Sequence, residues 1–262
     1  MWGSSRGDSH GCREFSHLSP KPKVVFGGLF SDQFQYPTPT VEVLQQRMRA
    51  VVRHQNELRQ KAGIPVIDPA EEPMYSPTLF DDRIVRIGYR SAGNATASAA
   101  NFLSFGNVIL RSTFQDNHAL NFVYTFDGVN LVKSEPLSSY LISHSQTDPI
   151  KLYRNMGAKE RKLWLSSDLD NLRAHGVKWG YKESVLHFTM GRPTPSMASQ
   201  SPNESVLTWS VPRKQLEVLA RQGMVEAGGL ATSKDEDVFV FELVLKEPAW
   251  HEAMKWKLES VK

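Results

Sequence analysis

The chain has 262 residues, of which 40% are hydrophobic and 23% charged, so it can bury a stable core without covalent staples. A formal net charge of +3 is too small to single out a nucleic-acid partner. The single cysteine, Cys12, excludes an internal disulfide framework and a cysteine zinc site, and no apolar run reaches the ~18 residues of a membrane-spanning helix.

Residues 1–23 are rich in Ser, Gly, His and Pro and lack periodicity, which predicts a disordered tail with no apolar signal-peptide core. Val24 to Phe30 is a short apolar run that reads as an edge strand or a loop. From Thr38 to Gly63 the pattern is helical. Thr38 serves as cap, Pro39 takes the first helical position, and Val41, Leu44, Met48, Val51 and Leu58 form one stripe. Arg47, Arg49, Arg53, Arg59 and Lys61 make the opposite face basic, as expected of a solvated surface or one that meets acidic partners. Pro65, Pro69, Pro73 and Pro77 mark residues 64–78 as a linker, so residues 24–78 are expected to be a helical arm and residues 79–262 the main domain.

Strand signals dominate that domain. Val85, Ile87 and Tyr89 alternate with charged or small residues, and Val108 to Leu110 is a buried-type run. Asn121 to Phe126 and Val129 to Val132 flank Asp127-Gly128, a hairpin signature. A strand at Ile150 to Tyr153 precedes a helical stretch that ends near Gly176. Strands follow at 184–190, 205–211 and 237–245, with a helix after Pro212 between the last two. A C-terminal helix is expected to carry Trp250, Met254 and Leu258. Clustered strands without long crossover helices predict an α+β fold with mixed or antiparallel sheets and flanking helices.

No P-loop, Gly-x-Gly-x-x-Gly, His-Glu-x-x-His or Gly-x-Ser-x-Gly occurs. The eight histidines show no metal-ligand spacing, so no metal site is expected. The informative stretch carries Tyr153-Arg154 at a strand end, then Phe188-Thr189-Met190 on a second strand. After the Thr208-Trp209 strand and its helix comes Lys234-Asp235-Glu236-Asp237, an acidic turn before a strand.

This order resembles the arginine–serine–glutamate class of mono-ADP-ribosyltransferases, a class that includes bacterial toxins and secreted effectors. The resemblance spans about 95 residues from Ile150 to Leu245. It implies that NAD is the substrate and a protein the target, and that the chain is a soluble protein delivered into another cell. Arg154 would grip the NAD phosphates with bidentate donors. Tyr153, Phe188 and Thr189 would line the nicotinamide pocket, with Trp209 or Tyr181 as other stacking rings. Glu236 would stabilise the positive charge that builds on the ribose as the nicotinamide bond breaks. Arg90, in a second Tyr-Arg pair followed on the next strand by Ser112-Thr113, is the alternative arginine. Two departures stand out. Phe188-Thr189-Met190 replaces the family's Ser-Thr-Ser, and Lys234 stands two positions before Glu236, where arginine-modifying members carry an acid. They motivate a second expectation, a catalytically inactive relative that binds proteins or peptides.

Overall fold

In the computed structural model, residues 35–77, 84–89, 100–112, 118–175, 185–193, 204–231 and 239–261 are described. Their strands form two six-stranded sheets in which every pairing is antiparallel. With helices packed on them, the architecture is α+β.

The first sheet is a meander in chain order: β1 (Met74–Pro77), β2 (Val85–Tyr89), β3 (Ala100–Phe105), β4 (Val108–Arg111), β5 (Phe122–Asp127) and β6 (Asn130–Pro136). Its period-2 alternation divides the side chains between two cores. Ile87, Tyr89, Phe102, Ile109, Tyr124 and Phe126 face α1 (Val41–Ala62), which covers them with Leu44, Met48, Val51 and Val52. Burying each of these four α1 residues stabilises the layer by about 1.5–3 kcal/mol. Phe105, Val108, Leu110 and Val123 point the other way, into a larger core.

The second sheet has the order β10-β11-β8-β7-β9-β12. Its strands are β7 (Ile150–Gly157), β8 (Val185–Met190), β9 (Glu204–Val211), β10 (Val225–Ala231), β11 (Phe239–Lys246) and β12 (Lys257–Val261). One face sends Leu152, Phe188, Trp209 and Leu243 into the larger core, where they meet α2 (Leu137–Ser143) and the inner face of the first sheet. Helices α3 (Ala158–Leu165), α4 (Leu169–His175), α5 (Arg213–Arg221) and α6 (Trp250–Ala253) are the other α-helices among the described residues. None of the helices searched, all within the described residues, is long and apolar enough to cross a membrane.

Several local expectations change. The α1 cap is Thr40, whose hydroxyl accepts from the Val43 N–H at 3.4 Å. Thr38 and Pro39 lie ahead of the helix, whose first residue is Val41. Gly63 ends α1 in the left-handed region, at φ 68°. The basic face is not uniformly solvated. Arg47 is buried and donates to the carbonyls of Gly128 and Gly106 at 2.8 and 2.9 Å, and buried Arg59 donates to that of Pro65 at 2.9 Å. Residues 74–77, expected in the linker, form an edge strand on β2, where Pro77 sits at the strand end. The hairpin turn is one residue later than expected. Asp127 pairs with Asn130, and Gly128 supplies the positive φ that a two-residue turn needs. Strands β3, β10 and β12 were not foreseen, and Leu258 lies on β12 rather than on a helix.

Candidate functional site

The three strands that carry the motif segments are neighbours. β8 is flanked by β7 on one side and β11 on the other. Thr189 is the cross-strand partner of both Tyr153 and Glu242, and Tyr153 is also opposite Thr208. Directly opposed residues in antiparallel strands share a face. Thr208, Tyr153, Thr189 and Glu242 therefore form a polar row across four strands, on the face turned away from the larger core. The Thr189 hydroxyl donates to the Tyr153 carbonyl at 3.3 Å.

Glu242 is the most deeply placed charge in this row. It is 2% exposed, in a strand whose other residues from Phe239 to Leu245 are all apolar. Its Oε1 lies 3.2 Å from His118 Nε2 and its Oε2 lies 3.0 Å from His187 Nδ1. His187 comes from the adjacent β8. His118 comes from a short 3-10 turn (His118–Leu120) that connects two strands of the first sheet. Burial pushes the Glu242 carboxyl up, but hydrogen bonds from both imidazoles, aided by their charge, outweigh it and hold the group below the usual carboxylate value. The His118 side chain is fully buried, whereas that of His187 is 15% exposed, so His187 is the member of the cluster that reaches solvent. Because each imidazole turns a nitrogen to the carboxylate, the three groups serve one another. Among the described residues, no set of three His, Cys, Asp or Glu side chains is arranged to hold a metal ion.

Arg154 belongs to the other face of the sheet. Alternation along β7 places it with Ile150, Leu152 and Met156. Its Nε and Nη2 donate to Glu160 Oε1 of α3 at 3.0 and 2.5 Å, and its Nη1 donates to the His187 carbonyl at 2.7 Å. The guanidinium also lies 6.0 Å from the centre of the Phe188 ring. Phe188 in turn meets Trp164, Trp209 and Trp256 edge-on, with ring centres 5.3 to 6.1 Å apart. These rings form the aromatic centre of the larger core.

Of the residues proposed from sequence, Tyr153 and Thr189 thus share one face, and Arg154 and Phe188 share the opposite one. Glu236, Arg90, Tyr181, Thr113 and residues 232–238 as a whole lie outside the described residues. Sequence reasoning missed Glu242, His118 and His187. For Glu242 a signal existed: a lone carboxylate inside the apolar run Val238 to Leu245 has to find a partner or a function. Nothing local marked the histidines, because their partner is distant in the chain.

No family model matches the sequence, and no curated protein and no solved structure matches it either.

Proposed function

We infer that the chain is an ADP-ribosyltransferase-like protein that takes NAD as substrate and transfers ADP-ribose to a protein target. One observation carries the reading. The Tyr-Arg strand β7, the aromatic-Thr strand β8 and the strand that follows the acidic turn, β11, lie side by side in one sheet, although they are widely separated in sequence.

In the transfer, the bond between the nicotinamide nitrogen and ribose C1′ breaks and its electron pair leaves with nicotinamide. A nucleophile of the target closes the new bond at C1′ and loses its proton. Glu236 would stabilise the positive charge on the sugar. Thr189 and Tyr153 would order the wall of the ligand site, and Phe188 would support it from beneath the sheet. Arg154, or Arg90, would meet the pyrophosphate. For Arg154 this requires that Glu160 release two of its donors. A toxin or effector of this type would act on a protein of another cell.

The test is incubation with labelled NAD and candidate target proteins. Label transfer that Glu236→Gln abolishes supports the reading. Absence of NAD binding by calorimetry at millimolar ligand would sink it.

The engagement of Arg154 by Glu160 and the His187 carbonyl favours a second reading, a catalytically inactive relative that binds proteins or peptides. In that case NAD is neither bound nor turned over, and Arg154→Met paired with Glu160→Leu keeps the fold intact.

A further inference from the structure

A cleft of about 600 Å³ lies where the outer side of α1 meets the end of β2, on a different sheet from the polar row described above. Arg49 and Arg53, one helical turn apart and both exposed, stand on its wall. Val52 and the Tyr89 ring, both buried, give it an apolar base. Asn56 fixes another wall: its amide Nδ2 donates to the Ile67 carbonyl at 2.8 Å, and its Oδ1 accepts from the Ile67 N–H at 2.7 Å. Glu57 is the one carboxylate on the described lining, so guanidinium charge prevails there by two to one.

Other arginines of this protein have evident structural work. Arg47, Arg59, Arg154 and Arg213 donate to backbone carbonyls, to a carboxylate, or to both. Arg49, Arg53 and the Tyr89 hydroxyl engage in no hydrogen bond or ion pair with the described residues. Burial pushes the Tyr89 phenol up to about 12, so at neutral pH it is a hydroxyl able to donate.

We propose that this cleft binds a phosphorylated small molecule of nucleotide size. Its phosphate monoester would be held between the Arg49 and Arg53 guanidiniums, and its ring body would lie against Val52 and Tyr89. Guanidinium forks suit a phosphate's paired oxygens, and a cleft of this volume encloses a small ligand rather than tracking a polymer.

The experiment is calorimetric titration of the full chain with adenosine 5′-monophosphate, adenosine and inorganic phosphate in turn. The nucleotide is expected to bind, with adenosine and inorganic phosphate each at least about tenfold weaker. The double variant R49A/R53A should lose about tenfold or more of the nucleotide affinity with its unfolding midpoint unchanged, since both side chains are exposed. R49K/R53K, which keeps the charge but not the fork, should fall between. Nucleotide affinity unaltered in R49A/R53A, no binding at about 10 mM nucleotide, or inorganic phosphate bound as tightly as the nucleotide would each overturn the proposal. The site is independent of the transferase reading. R49A/R53A leaves NAD-dependent labelling as it was, and Glu236→Gln leaves the nucleotide titration as it was.

Discussion

Glu242 shows how one buried side chain makes stability depend on pH. Its folded-state pKa lies below the ordinary 4.5, so its contribution is fully present above that value and fades as the pH falls through the lowered one. Glu242→Gln should cost about 3–5 kcal/mol at neutral pH, because it leaves two imidazoles facing an amide where they faced a buried carboxylate. It should also flatten the acid limb of a stability–pH curve measured by urea unfolding. At the alkaline end, Tyr75 and Tyr89 are both pushed up to about 12, chiefly by burial. A phenol whose pKa is raised in the fold stabilises it below the unfolded value of 10 and loses that contribution as the pH climbs toward 12. An ultraviolet tyrosinate titration should therefore show these two ionising later than free tyrosine, with Tyr75→Phe and Tyr89→Phe each removing one late-titrating group.

At the scale of elements, α1 was the most legible part of the chain, because a 3.6-residue stripe is a local property. Its start was misplaced by two residues, since Thr38-Pro39-Thr40 offers two caps and only backbone geometry chooses between them. Thr40→Ala should destabilise the protein by about 1 kcal/mol in thermal unfolding, and Thr38→Ala should leave it unchanged. Strand β10 was hidden by composition. Val225 to Ala231 contains Gly228 and Gly229, which weaken any strand signal, and its pairing with β11 along seven residues compensates. Strand β12 was hidden by its apolar spacing: Trp250, Met254 and Leu258 recur every four residues as in a helix, yet Leu258 pairs with Trp209 of β9.

The whole molecule is held together by contacts between the sheets. The larger core draws residues from both. Polar bridges reinforce it. Arg111 donates to Asn121 Oδ1 at 3.0 Å, Asn121 donates to the Ala227 carbonyl at 2.9 Å, and His118 reaches Glu242. A shared core predicts one cooperative transition, so intrinsic tryptophan fluorescence and far-ultraviolet dichroism should give the same urea midpoint. Asn121→Ala should lower that midpoint while the two probes remain coincident; two separated transitions would refute the shared-core description.

The sequence by itself determined the α+β class, the α1 stripe, the β5–β6 hairpin and strands β7, β8, β9 and β11, because periodicity and turn chemistry act between near neighbours. Only the tertiary structure decided that β7, β8 and β11 adjoin, that Arg154 faces Glu160 while Thr189 faces away from it, and that Glu242 joins His118 and His187. Those relations depend on strand order and on the parity of register. A one-residue shift turns a side chain to the opposite face, and no local pattern records which distant strand will lie alongside.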